Sequence, residues 1–236
     1  MTNKTSDYDL TVIVPVYNER GNMLRLETAL STFLKKSKVK SCILFVNDGS
    51  QDGSGDLIRE ICRRNKDFFY IGLAKNCGLS AAMKAGIDYT CSRLVGYIDA
   101  DLQTTPEDFN LLLEYTDDYE LVMGIRVGRK DSLVKNMSSK VANGFRRLMT
   151  KDGVKDTGCP LKILHTEYAQ RIRFLPALIL LQQGKVKQVP VRHYPRIAEK
   201  SKYNLCNRLI SPFKDCFAYR WMKKRYINYE IADTHL

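Results

Sequence analysis

Only three histidines occur in the 236 residues, and seven cysteines are scattered along the chain without a C-x-x-C pair. Neither residue therefore spells out a zinc cluster. The odd cysteine number, and an opening MTNKTSDYDL without the apolar core of a secretory signal, lead us to expect reduced thiols in a cytoplasm. Long apolar runs are also missing. The longest, Phe174–Leu181, contains Pro176 and falls far short of the roughly 20 residues that a membrane-spanning helix needs. No GxGxxG and no GKS or GKT is present, so the usual dinucleotide and P-loop signatures are excluded. Acidic residues are few: 26 Asp and Glu face 38 Lys and Arg.

With 44% apolar and 27% charged residues, the chain has the composition of a folded protein and not of a disordered one. Its net charge of +12 is unevenly placed. Residues 126–147 carry +6 and residues 184–226 carry +10, leaving the remainder at −4. The C-terminal half should therefore meet something anionic: a phosphate, a nucleic acid or a membrane surface.

The N-terminal half alternates β-rich runs with helical stretches. Strands are expected at Thr11–Val16, Ser41–Val46, Phe69–Leu73, Leu94–Ile98 and Glu120–Ile125. Helices are expected over about 20–36, up to Arg64, over Ser80–Tyr89 and from near Pro106. This alternation implies an α/β fold with a mainly parallel sheet and helices on both faces. Ligands bind such sheets at the carboxyl ends of the strands, the edge that receives Tyr17, Asp48, Asp99–Asp101 and Arg126.

The most informative stretch is Tyr97–Asp108, YIDADLQTTPED. If the segment stays extended, alternation directs Asp99, Asp101 and Gln103 to one side. Oxygen ligands of this kind suit Mg2+ or Mn2+ carrying a diphosphate. The plainer reading, a pair of helix-capping aspartates, is disfavoured because Thr105 is the better-placed cap ahead of Pro106. Three other segments also agree with the metal reading: VPVYNERGN (14–22), VNDGSQDGS (46–54) and GLAKNCGLSAAMKAG (72–86).

In this order and spacing, these segments resemble the family 2 glycosyltransferases of the GT-A (Rossmann-like) fold. Within that family the chain is most similar to the branch making polyprenyl-phosphate sugars, to which dolichol-phosphate mannose synthase and the undecaprenyl-phosphate sugar transferases belong. The resemblance implies a GDP- or UDP-sugar donor bound by Pro15, Tyr17, Glu19, Asp48, Lys75, Asn76, Asp99 and Ala100. In that pocket Tyr17 offers a stacking face, Glu19 accepts from ribose hydroxyls and Asp48 accepts from a base N–H. It implies a cation held by Asp101 with Gln103 and Asp99. It implies an acceptor phosphate gripped by Arg126 and by Lys135 with Ser139, which share a face if that segment is helical. Arg196 and Lys202, in a segment ending Ser201-Lys202-Tyr203, would close over the donor diphosphate, although Glu199 stands where the family has glycine. Asp156–Pro160 resembles the D-x-G-C segment beneath the sugar.

Residues 207–226 interleave Phe213, Phe217 and Trp221 with basic residues opposed only by Asp215. That composition suits an amphipathic helix at a membrane interface, and equally a terminal helix packed on the domain. We therefore expect a glycosyltransferase domain over 1–206 and a basic amphipathic segment over 207–236, on an anionic membrane at its cytoplasmic face. A homo-oligomer or a membrane-protein partner is compatible with this arrangement. Transfer to a sugar or protein hydroxyl would need a base, for which only Glu167 and Glu199 offer themselves. A nucleic-acid-binding module would account for the charge, but it leaves the DADLQ and nucleotide segments without a role, so no nucleic-acid partner is expected.

Overall fold

Leu10–Val16 (β1) and Ser41–Asn47 (β2) are almost wholly buried along their length, as strands covered on both faces must be. In the computed structural model, which describes residues 4–127, 144–171, 176–195 and 205–225, they are adjacent interior strands of a seven-stranded sheet. The other strands are Phe68–Gly72 (β3), Leu94–Tyr97 (β4), Leu121–Val127 (β5), Lys162–His165 (β6) and Val186–Arg192 (β7). Their order across the sheet is β3-β2-β1-β4-β6-β5-β7. Only β6 runs antiparallel, to both β4 and β5.

Helices cover both faces. Met23–Lys36 (α1), Ser54–Arg64 (α2) and Phe109–Leu113 (α4) bury Leu26, Leu30, Phe33, Ile58, Phe109 and Leu112 in one apolar layer. Leu79–Asp88 (α3), Thr166–Arg171 (α6) and Pro176–Leu181 (α7) contribute Met83, Ile87, Ala169 and Ile179 to the opposite layer. Residues 144–150 form α5 and Leu205–Arg225 form α8. The mainly parallel sheet flanked by helices is as expected, and α8 falls where the basic terminal helix was placed.

Three expectations need correction. The strand ends at Tyr97, and Leu102 has φ of +54°. The DADLQ segment is therefore a turn, and simple alternation does not aim its side chains. The helix expected from residue 20 opens with a short 3-10 turn, Arg20–Asn22, and becomes α-helical at Met23. Thr105 does occupy the cap position ahead of Pro106, but its side chain makes no capping hydrogen bond.

Candidate active site

The loops after β1, β2, β3, β4 and β5 all emerge at one edge of the sheet, because these strands are mutually parallel or joined through β6. The first two are stitched together. The amides of Asn18, Glu19 and Arg20 donate to Ser50 Oγ (3.0 Å), Ser54 Oγ (3.0 Å) and Asp52 Oδ2 (2.9 Å). In return, the Gln51 amide donates to Asn18 Oδ1 at 2.8 Å. Glu19 is 9% exposed, and its Oε2 accepts from Asn22 Nδ2 at 2.7 Å. Tyr17 and Pro15 are half-buried beside it.

Asp48 joins the second loop to the third. Its Oδ1 accepts from the Cys77 amide at 2.7 Å, and its Oδ2 accepts from the Gly78 amide (2.9 Å) and Asn76 Nδ2 (3.1 Å). Asp48 is 3% exposed, so its carboxylate builds the Lys75–Gly78 turn, a duty that the sequence did not reveal. Gly49, at φ +68°, makes the approach of that turn possible, since a Cβ there would lie 2.5 Å from the Asn76 amide nitrogen. Lys75, Asn76 and Cys77 themselves are exposed along the rim.

After β4, Asp99 is half-buried, and one of its oxygens accepts from the Tyr97 hydroxyl. Ala100 and Asp101 are buried, and Asp101 Oδ1 accepts from the Gln103 amide at 3.1 Å. The Gln103 carbonyl accepts from the Tyr194 amide at 2.8 Å, tying the end of β7 to this turn. Among the described residues no group of three or more His, Cys, Asp or Glu is arranged to hold a metal. The donor set here is two carboxylates and an amide. It fits a hard divalent cation that draws its remaining ligands from water and substrate phosphates.

On the other side of the edge, Arg126 lies against Asp156. Its Nε donates to Oδ2 at 2.9 Å and its Nη2 to Oδ1 at 2.8 Å. Both side chains are largely buried, at 15% and 11% exposure. Gly158 leaves room for the guanidinium, because a Cβ there would meet Nη2 at 2.9 Å. Below them Lys162, 7% exposed, donates to the Thr157 carbonyl at 3.1 Å. Burial pulls its pKa down, while Cys159, Asp99 and Asp156 pull it up and Arg126 adds to the downward pull. Burial likewise pushes the Cys159 thiol up to about 11.

Asp156 and Lys162 were not singled out as site residues from sequence. A lysine opening a four-residue strand carries no pattern of its own, and Asp156 was visible only as part of a D-x-G-C segment. Lys135, Ser139, Arg196, Glu199 and Lys202 lie outside the described residues. Glu167, offered as a base, follows the carboxyl end of antiparallel β6. It therefore lies at the opposite edge of the sheet, in a cleft with Cys91, Arg93 and His165.

The fold is a mainly parallel α/β sheet that gathers these loops at one edge. The chain belongs to glycosyl transferase family 2, whose model matches residues 11–173. It is 32% identical over 215 residues to undecaprenyl-phosphate 4-deoxy-4-formamido-L-arabinose transferase of Edwardsiella ictaluri (strain 93-146). That match takes in 83% of this chain but only 63% of the relative's length. Among solved structures, glucosyl-3-phosphoglycerate synthase of Mycobacterium tuberculosis, in complex with Mn2+, UDP-glucose and phosphoglyceric acid, superposes with a TM-score of 0.68 at 12% identity. That superposition covers 94% of this chain and 81% of the synthase. A mannosyltransferase of Pyrobaculum calidifontis, in complex with GDP-mannose and Mn2+, gives 0.61 at 14% identity, over 94% of this chain and 65% of that one. At such identities the structures establish the shared fold.

Proposed function

We propose that this chain is a metal-dependent, inverting glycosyltransferase that moves a sugar from a UDP- or GDP-sugar to a polyprenyl phosphate. The observation that carries the reading is the Arg126–Asp156 pair at the end of β5, a fixed cation on the side of the edge away from the nucleotide loops. A phosphate acceptor is anionic at neutral pH and needs orientation more than it needs a base. The relative whose name includes undecaprenyl phosphate supports the same acceptor class.

In this reading Tyr17, Glu19 and the Asp48-braced turn at Lys75 and Asn76 hold the nucleoside, with Pro15, Asp99 and Ala100 beside them. Asp101 and Gln103, with Asp99, would hold Mg2+ or Mn2+, which when bound neutralises charge on the donor diphosphate. Arg126 orients the acceptor oxygen toward the anomeric carbon, and we assign Lys135 and Ser139 to the same phosphate. Arg196 and Lys202 are assigned to the leaving diphosphate.

No helix among the described residues is long and apolar enough to cross a membrane. We assign membrane contact to the segment 207–236, appended to a catalytic domain over 1–206. In α8, Cys216 and Tyr219 are buried, while Phe213, Phe217 and Trp221 are 49%, 51% and 61% exposed. Phe145 of α5 stacks on Phe213 at 4.8 Å between ring centroids, and Phe217 meets Phe213 edge-on at 5.1 Å. Exposed rings flanked by Lys214, Arg220 and Lys223–Arg225 suit an anionic lipid surface at the cytoplasmic face.

A donor screen by thermal shift, with and without Mn2+, followed by transfer to a short polyprenyl phosphate or to the matching polyprenol, tests the proposal. Transfer should require the phosphate. Equal transfer to the polyprenol would replace this reading with a hydroxyl-directed one.

A further inference from the structure

Asp152 is buried, with its side chain 1% exposed, and it is paired with the guanidinium of Arg146, itself 12% exposed. The same guanidinium donates through Nη2 to the Val154 carbonyl. Arg146 belongs to α5, and both acceptors belong to the reversal that ends this helix, where Lys151 and Gly153 have φ of +52° and +67°. The Val154 amide closes the turn by donating to Asp152 Oδ1 at 3.0 Å. A buried ion pair is a weak source of stability, since desolvation offsets the attraction. A guanidinium fork on two acceptors does something else: it fixes direction. An apolar residue at position 146 would fill the space and leave the reversal free to pivot.

Both ends of this stapled segment lead to other parts of the molecule. Downstream, the Lys155 amide donates to Gln188 Oε1 of β7 at 2.9 Å. Asp156, the next residue, accepts from Nε, Nη2 and the amide of Arg126. Upstream, Phe145 stacks on Phe213 of α8, with Phe217 at 6.5 Å between centroids. A second contact joins the two helices, from Arg220 Nη1 to Met149 Sδ at 3.6 Å. The path from α8 to Arg126 is therefore a series of direct contacts carried by residues 145–156.

The solvent side of this helix pair is apolar and basic. Leu148, one turn after Phe145, is 72% exposed. The exposed rings of Phe213, Phe217 and Trp221 follow one another at four-residue spacing, which makes one stripe along α8. Helical geometry puts Lys214 and Arg225 on one border of that stripe, Arg220 on the other, and Asp215 on the far side. This charge complements an anionic bilayer, and burying the rings there would stabilise the α5–α8 pair in its packed arrangement.

We propose that Arg146 is a positioning residue that couples an anionic bilayer to the acceptor site. Lipid bound at α8 and α5 holds α5 in place. Arg146 then holds the segment 152–156, and Asp156 holds the plane of Arg126. The acceptor phosphate is gripped best when the chain is on the membrane. The inference rests on the proposed roles of Arg126 and α8, and it adds the link between them.

The test compares wild type and R146Q as full chains acting on citronellyl phosphate, a short acceptor. Each is assayed with and without acceptor-free vesicles of phosphatidylglycerol and phosphatidylcholine in equal parts. In wild type the vesicles should lower the acceptor KM about fivefold or more, with UDP affinity unchanged. R146Q should bind the vesicles as wild type does, read by Trp221 emission, yet its acceptor KM should not respond to them. Both proteins meet the same partitioning of acceptor into lipid, so a difference between them belongs to the chain. R146K, which keeps the charge but not the fork, should recover little of the response. Should R146Q not fold, R146Q/D152N, which leaves no unpaired buried charge, makes the same comparison. A merely structural arginine would lower the melting temperature, and turnover with and without vesicles alike, and that pattern would overturn the proposal. So would a wild-type KM indifferent to vesicles, or a fall in KM undiminished in R146Q. A blue shift of Trp221 that grows with protein concentration in the absence of lipid would give the patch to a second copy, and overturn it too. A wild type that transfers to no polyprenyl phosphate sinks the acceptor reading itself, and the coupling with it.

Discussion

Arg126 meets Asp156 side-on, with Nε to Oδ2 at 2.9 Å, Nη2 to Oδ1 at 2.8 Å, and the Arg126 amide reaching the same Oδ2 at 3.2 Å. One carboxylate thus fixes both the backbone and the guanidinium plane at the end of β5. A planar fork held this way presents its remaining N–H groups in a set direction, which a lysine cannot imitate.

From this geometry, R126A should raise the acceptor KM by about tenfold or more while nucleotide affinity stays near wild type, and R126K should recover little of the loss. Calorimetry with UDP and acceptor titrations in the transfer assay measure the two separately. Collapse of nucleotide affinity with an unchanged acceptor KM would move Arg126 to the donor side.

For the metal, D101N should keep the fold and lose at least about a hundredfold in turnover, because a neutral amide is a poor ligand for a hard cation. Dialysis against EDTA should have the same effect on wild type, reversed by Mn2+ or Mg2+. Near-normal activity in D101N, or activity untouched by EDTA, removes the cation from Asp101.

Much of the fold of the N-terminal half was legible in the sequence because its signals are local. Buried strands read as short β-branched and aromatic runs, and VPVYNE, VNDGS and GLAKN mark the ends of three of them. The other half depends on pairing between distant segments. β6 is four residues long and opens with a buried lysine, and β7 contains Pro190. A proline reads against a central strand. β7 tolerates it as the outermost strand, pairing only with β5. Asp48 shows a second limit. Its type and place pointed to the nucleotide, yet the three donors that converge on it belong to a turn some thirty residues away. No local pattern encodes that closure.

The Asp48 brace can be read through a cysteine. Cys77 is exposed, whereas burial pushes the thiols of Cys42 and Cys62 up to about 12 and that of Cys159 to about 11. At pH 8 these three should stay unlabelled by a maleimide while Cys77 reacts, because the thiolate is the nucleophile. UDP with Mn2+ should slow Cys77 labelling. D48A should abolish that protection and cost about 2 kcal/mol in stability, as buried donors lose their acceptor. Peptide mapping by mass spectrometry identifies the site. Labelling of Cys77 indifferent to nucleotide would place the turn outside the donor pocket.

Trp221 is the only tryptophan, and at 61% exposure, with Arg225 over its ring at 5.0 Å, it should emit as a solvated indole. Addition of anionic vesicles should shift that emission to the blue. Salt should weaken the binding without abolishing it, since each basic residue near the surface contributes about 1 kcal/mol and inserted rings add a salt-insensitive part. An emission that ignores vesicles would assign the exposed rings of α8 to a protein partner or to another copy of the chain.

The reversed direction of β6 has a consequence for how such a fold can change. Because β6 starts at the edge where its neighbours end, the segment leading into it, Asp156–Leu161, enters the site from the opposite chain direction to the nucleotide loops. The intervening chain between Val127 and Lys162 can then lengthen, shorten or be rewritten while β1, β2 and β3, and the pocket they carry, keep their registers. On the proposed assignment, donor recognition and acceptor choice would be modular within a single sheet, and a new acceptor could evolve by altering one excursion of the chain.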